Sequence, residues 1–306
     1  MLDLDFGYFN ILDSDRRGLF SQKMFLERMA PVFFAPRVER LIDIPDLGSL
    51  GCNITIPLGA GNLALLEAET RQIMAEKSQS LADEYQLPRL AVDRCLKSLL
   101  HGWMPAGNLL FGDDFIKALA AVLVTRMLSR RELKKLIIVG DMANPLPFVS
   151  RLCSLGLPVS LQSYHPARYE VLSYRLLYEK GWALAASYLE PATWEKGDLA
   201  IIIDGENLAG IHHTEAFCLR LNNNSRGWSP QLEHGLESSG IVPTLNNLAP
   251  IVESCLWSQA GFSSRYAEHA RSEQWGPHDE NDSFVRLEAL GASIGLWDIF
   301  RDAPAH

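Results

Sequence analysis

The run KLIIVGDMANPLPFVSRLCSLGLPVSLQS, residues 135–163, decides the fold of this 306-residue chain. It opens on the apolar strand Leu136–Val139, turns at Gly140, enters a helix at Pro145, leaves it at Gly156 and resumes as the strand Pro158–Leu161. Near-continuous apolar strands separated by a crossover helix are the repeat unit of a parallel sheet covered on both faces. Downstream, Ala183–Ser187 and Leu199–Ile203 read as further strands, the first preceded by a helical segment ending at Gly181, and Ala216–Leu221 as a fifth. Upstream, DDFIKALAAVLVTRML from Asp113 reads as a connecting helix, with acids at its positive end and Arg130 and Arg131 beyond its negative end.

Before that helix the pattern is α/β as well. Ser21 is placed to cap a helix to about Met29, Pro31 interrupts it, and Ile42–Pro45 leads into a β-branched strand at Cys52–Ile56. Asn62 is read as the cap of a long amphipathic helix carrying Leu65, Leu66, Ile73, Leu81 and Leu87, and Pro88 as the start of another that Gly102 ends. Asn222–Gly240 reads as a loop, and Leu245–Trp257, Ser264–Arg271 and Phe284–Phe300 as helices. The expected organisation is two α/β domains: residues 1–114, then a Rossmann-like parallel-sheet domain at 115–245, with the C-terminal helices of 246–306 returning to the first.

Composition narrows the classes of function. With 47% hydrophobic and 21% charged residues the chain is globular. A net charge of −9 and scattered basic residues leave the counterion-release term of nucleic-acid binding little to act on, so nucleic acid is not an expected partner. The longest uncharged stretch, Leu47 to Leu66, is broken by glycines and Pro57, which argues against a membrane span. The opening MLDLDFGYF has acids where a signal peptide needs basic residues, so a cytoplasmic protein is expected. Five cysteines without paired spacing read as reduced, buried hydrophobes.

The string GCNITIP, residues 51–57, resembles the G-x-N-V-T-[IV]-P string in the substrate domain of shikimate dehydrogenases, and a nucleotide-binding domain follows it, as in that family. The resemblance implies a substrate-type first domain, a dehydrogenase activity with NAD or NADP, and a small-molecule substrate between strand ends and cofactor. By the same likeness Asn53 and Thr55 line the substrate side, and Asp114, in GNLLFGDD at 107–114, is the one plausible acid/base. Gly140, Asp141, Asn144, Ser163, His165, Arg168 and Asp204 would face the cofactor. A homodimer is compatible with this reading.

The departures from the family are as informative. The catalytic Lys of the family comes two positions after the Pro, where this chain has Gly59. Only Gly140 remains of a G-x-G-x-x-G turn, and Asp141 puts a negative charge where phosphates lie. Asn144 and Pro145 open a helix whose free N–H groups favour an anion there. The second strand ends in Ser163, Tyr164 and His165 without an acid, which favours NADP over NAD. Two further readings follow: a non-catalytic ligand-binding or interaction protein that kept the fold, and a metal-dependent nuclease, since LAIIIDGENLA at 199–209 resembles the opening strand of NYN-type nucleases, with Asp204 and Glu206 beside Asp141. His212, His213 and Glu215 are not assigned as a metal site, because adjacent residues on a strand point to opposite faces.

Overall fold

The computed structural model describes residues 4–12, 14–18, 22–87, 89–100, 109–203, 214–221, 229–260 and 283–300. The chain divides into two compact units, one of Met1–Gly112 with Ser229–Gln274, the other of Asp113–Trp228 with Trp275–His306. Each holds a five-stranded sheet.

In the first unit the described elements are β1 (Phe6–Leu12), α1 (Lys23–Phe33), β2 (Arg37–Ile44), β3 (Ser49–Gly59), α2 (Ala60–Leu65), α3 (Ala68–Glu84), β4 (Leu90–Val92) and β5 (Leu109–Leu110), with α7 (Pro230–Ser238) and α8 (Leu245–Gln259) arriving from the later segment. The sheet order is β2-β3-β1-β4-β5; β2 runs antiparallel and the rest parallel. Side chains alternate across a strand. On one face Phe9, Cys52, Ile54 and Ile56 join Leu26 and Ala30 of α1 and Met74 and Ala82 of α3 in a single core. The other face of β1 and β4 is covered by α8.

Several expectations change here. FGYFNIL forms the central strand β1, which the sequence reading did not place. Gly59, not Asn62, is the N-cap of α2, and the long helix read from Asn62 is broken at Leu66 and Glu67 into α2 and α3. Leu90–Val92 is a strand where a helix was read from Pro88; three residues held between β1 and β5 are too few for any period to show. Pro31 lies inside α1, and Pro230–Ser238, read as loop, is a helix capped by Ser229. Ser21, Pro88, Gly102 and the helix read at Ser264–Arg271 lie outside the described residues.

The second unit follows the sequence reading closely. It contains α4 (Asp113–Leu128), β6 (Lys135–Val139), α5 (Pro145–Cys153), β7 (Val159–Gln162), α6 (Glu170–Lys180), β8 (Leu184–Ser187), β9 (Asp198–Ile202), β10 (Phe217–Arg220) and α9 (Ser283–Ser293). All five strands are parallel in the order β10-β9-β6-β7-β8. This is the doubly wound arrangement, with its topological switch between β6 and β9. The C-terminal segment departs from expectation: α8 belongs to the first unit, but α9 packs on α4 in the second. Its anchors are aromatic. Phe115 of α4 stacks on Trp297 at 5.8 Å and meets Phe300 at 5.6 Å, while Phe148 of α5 meets Phe284 edge-on at 6.0 Å.

All five cysteines are free; four are buried and Cys95 is exposed. Burial pushes the thiols of Cys52 and Cys255 up to about 11 and about 12. No helix among the described residues is long and apolar enough to cross a membrane.

Candidate functional site

The register of β1 on β3 sets Tyr8 beside Asn53 and Asn10 beside Thr55, so these four polar residues share the sheet face that α8 covers at β1 and β4. Tyr8 donates its hydroxyl hydrogen to Asn247 Oδ1 of α8 at 2.6 Å, and Asn247 Nδ2 donates to the carbonyl of Val242 at 2.9 Å. Asn53 is only 4% exposed and Thr55 3%. The hydroxyl of Thr55 reaches Asn53 Oδ1 at a long 3.5 Å, and the amide nitrogen of Asn53 has no hydrogen-bond partner among the described residues. That nitrogen is free to donate to an acceptor on a bound molecule.

At the carboxyl end of β3 the chain's own acid fills the space. Asn62 Oδ1 accepts from the backbone N–H groups of Arg16 (2.6 Å) and Gly59 (3.4 Å), and Arg16 Nε donates to the carbonyl of Pro57 at 2.8 Å. Asp15 Oδ1 accepts from the N–H of Asn62 at 3.1 Å, so the carboxylate closes the start of α2. A Cβ at position 59 would lie 2.4 Å from Asp15 Oδ1 and 2.8 Å from both Cα and N of Asp15. Backbone cannot swing aside as a side-chain tip can. Glycine at 59 is therefore demanded by the approach of Asp15, and the lysine that the family resemblance places there has no room.

In the second unit, Asp113 and Asp114 stand in the first turn of α4. Asp114 Oδ1 pairs with Lys117 Nζ at 2.9 Å, and its other oxygen accepts from the hydroxyl of Ser283. Lys117 is 4% exposed. Removing one partner of a buried ion pair costs about 3–5 kcal/mol, so Asp114 has a structural duty whatever else it does.

The first βα turn runs from Gly140, which has φ +113°, to Asn144, in the left-handed region at φ 44° without a side-chain cap bond. Asn144 holds the N-cap position before Pro145, but its side chain makes no cap bond there. Asp141 is tied across the turn: Oδ1 accepts from the hydroxyl of Tyr169 at 3.1 Å, Oδ2 lies 3.3 Å from His165 Nδ1, and Arg168 stands 3.8 Å away. Tyr169 also accepts from the backbone N–H of Met142 at 3.2 Å. Burial pushes the Tyr169 phenol up; the Met142 donor works against this and the Asp141 carboxylate with it, so the phenol stays a donor at neutral pH. Ser163 holds the N–H of His165 at 3.0 Å.

This turn is a poor fit to a dinucleotide pyrophosphate. Helix N-termini hold phosphates through free N–H groups. Here the first and third helical positions are Pro145 and Pro147, which have none, and Asp141 adds a negative charge. His165 and Arg168 are brought to Asp141 rather than left free. Replacing Asp141 by Asn is expected to release Arg168 and to tighten binding of NADPH up to about fivefold, the size of a partly exposed charge pair. Titration of wild type and variant with NADPH and NADH checks this; tighter binding of NADH than of NADPH would overturn the preference for NADP read from the end of the second strand.

Asp204, Glu206, His212 and His213 lie outside the described residues, among which no cluster of His, Cys, Asp and Glu is arranged to hold a metal ion. The residues that complete these sites and that the sequence reading missed are Tyr8, Asp15, Asn247 and Tyr169. Tyr8 was open to detection, because its alternation with Phe6 and Asn10 is a strand signal. Asp15 meets Gly59 from 44 positions away, and no local pattern announces that.

No family model matches this chain, and no curated protein does. Solved structures similar to it include a shikimate 5-dehydrogenase-like protein (11% identity, 94% of this chain, 98% of the other, TM-score 0.32). Two others are L-tryptophan dehydrogenase from Nostoc punctiforme (13%, 97% and 82%, 0.38) and a chorismate mutase/shikimate 5-dehydrogenase fusion protein from Clostridium acetobutylicum (12%, 97% and 100%, 0.33). The likeness is distant and assigns no residue a role.

Proposed function

We propose that this chain is a ligand-binding protein of dehydrogenase-like architecture, which takes a small polar molecule against Asn53 and Thr55 and performs no lysine-assisted hydride transfer. The observation that supports the reading is the Asn53 amide nitrogen, which makes no hydrogen bond among the described residues, in a unit where Asp15 occupies the space of the missing lysine. The ligand class is a small hydroxylated or carboxylated molecule, since an amide N–H beside a hydroxyl asks for acceptor oxygens.

The test is a thermal-shift panel of small hydroxy acids, shikimate and quinate among them, on wild type and Asn53→Ala. A ligand at a hundred times its dissociation constant raises stability by about 2.7 kcal/mol. Asn53→Ala is expected to weaken that ligand about fivefold to a hundredfold, the value of one buried hydrogen bond, while leaving the free protein no less stable, because no strong bond is lost. A variant that binds as well as wild type, or that loses stability without ligand, would return Asn53 to a purely structural role.

A second reading, an NADP-dependent oxidoreductase acting on a small molecule in the cytoplasm, is favoured by the doubly wound strand order and the positive φ of Gly140. In it Asp114 would serve as acid/base, and Gly140, Asp141, Asn144, Ser163, His165, Arg168 and Asp204 would face the cofactor. Steady-state turnover of shikimate or quinate with NADP or NAD near 10 per second, an ordinary enzyme rate, would establish it over the first reading.

A further inference from the structure

The edge strand β2 sets a cation beside Asn53. It pairs antiparallel with β3, Val38 opposite Ile54 and Arg40 opposite Asn53, so Glu39 is one residue too many and forms a bulge. Bulges re-aim side chains and are frequent beside binding and catalytic sites. Without this one, Glu39 would stand opposite Asn53. With it, Val38 and Ile54 look into the apolar core, and Arg40 and Asn53, the next pair, share the opposite face. Ile42, two residues further along β2, is buried on that same face.

Of the two arginines that β2 puts on this face, one is already paired. Arg37, opposite Thr55, gives Nε and Nη2 to Glu39 Oε1 at 3.4 and 3.1 Å. Arg40 is exposed and makes no hydrogen bond or ion pair among the described residues. Its guanidinium nevertheless has a defined place against Gly240, in the link between α7 and α8. A Cβ at 240 would come 2.6 Å from Nη1 and 3.2 Å from Cζ, and the φ of +72° there is one that glycine adopts freely. The same link supplies the Val242 carbonyl that holds Asn247, which in turn holds Tyr8, the partner of Asn53 on its other side. Arg40, Asn53 and Tyr8 thus form one row across β2, β3 and β1, with the link touching Arg40 at one end and fixing Tyr8 through Asn247 at the other. All of these residues belong to the first unit.

Resting on the proposal that Asn53 and Thr55 contact a ligand, we infer that this ligand carries an oxyanion, a carboxylate or a phosphate, and that Arg40 binds it. A guanidinium is a permanently charged fork of donors that meets two oxygens of either group at once. Register partners in an antiparallel pair have Cβ atoms about 4.5–5.5 Å apart, so one small molecule reaches both side chains. Its anionic group then lies toward β2 and its hydroxyls toward Asn53 and Thr55, which fixes its orientation. The net charge of −9 repels anions from the chain as a whole, so recognition of one requires a local unpaired cation such as this.

Isothermal titration calorimetry of the full chain tests this with matched probes: quinate and shikimate against their methyl esters, and glycerol 3-phosphate against glycerol. Wild type should prefer the charged member of a pair, and which pair shows the preference tells a carboxylate from a phosphate. Arg40→Gln is expected to weaken the charged probe about tenfold to a hundredfold, the value of a hydrogen bond to a charged group, and to leave the neutral one unchanged. Arg40→Lys, which keeps the charge and loses the fork, should fall between. Since Arg40 has no partner in the free protein, neither variant should lower the melting temperature. Equal affinity of wild type for both members of every pair overturns the inference, as does equal loss of both in Arg40→Gln, or charged-probe binding that Arg40→Gln leaves intact. If Asn53→Ala still weakens that binding, Asn53 keeps its assignment and Arg40 alone loses its own. If wild type binds none of the probes, both fall.

Discussion

Replacing Trp297 and Phe300 together by alanine is expected to unfold the second unit at temperatures where the first still stands. Both rings press on Phe115, and Trp297 is also held by its Nε1 donating to the carbonyl of Glu288 and by Arg126 donating to its own carbonyl. Truncating a buried Phe or Trp to Ala costs about 3–5 kcal/mol. The two effects share one partner and so will not add fully. Even so, the loss is comparable to the whole stability of a domain, about 5–15 kcal/mol. Differential scanning calorimetry should show one transition moving down by many degrees while another remains. A thermogram in which the remaining transition moves equally, or in which nothing moves, would mean that α9 and its tail do not belong to the second unit.

The second large effect concerns position 59. Inserting the lysine of the family resemblance, Gly59→Lys, is expected to damage the first unit without creating a dehydrogenase. The new Cβ would meet the backbone of Asp15 at 2.8 Å, so the strand end or the Asp15 loop must move. Forced insertion into a packed site costs about 1–3 kcal/mol. In a unit of this size that lowers the melting temperature by roughly 2–4 °C per kcal/mol. General acid–base help is worth about a hundredfold to ten-thousandfold in rate, but only from a group in register with its substrate. Shikimate oxidation should therefore stay undetected in wild type and variant alike. A variant with unchanged melting temperature and measurable turnover would mean that Asp15 does not occupy the space claimed for it.

The parallel sheet of the second unit was legible before any coordinates, because β6 and β9 are buried on both faces and so are apolar almost throughout, although β7 beside β6 carries the buried Ser160 and Gln162. The first unit was legible only in part. In β1 and β3 one face looks into the apolar core and the other into a buried polar layer, so Asn10, Asn53 and Thr55 dilute the apolar signal that marks a core strand. The GCNITIP string drew attention to Asn53 and Thr55, yet it could not say that the Asn53 amide nitrogen makes no hydrogen bond among the described residues. The glycine-poor turn and the acid at 141 were plain in the sequence. That Asp141 gathers Tyr169, His165 and Arg168 was not.

What the sequence determined by itself is whatever depends on neighbours within a turn or a strand: the alternation of apolar strands and helices, and the helix stops at Gly156 and Gly181. These are local matters of backbone conformation and side-chain period. Tertiary structure decided the rest. It assigned the last helix to the second unit through three aromatic contacts, and it filled the place of a proton-carrying lysine with the backbone and carboxylate of Asp15. Both outcomes depend on the close packing of groups far apart in the chain, where a clash of a few tenths of an ångström excludes a side chain that the local sequence would accept.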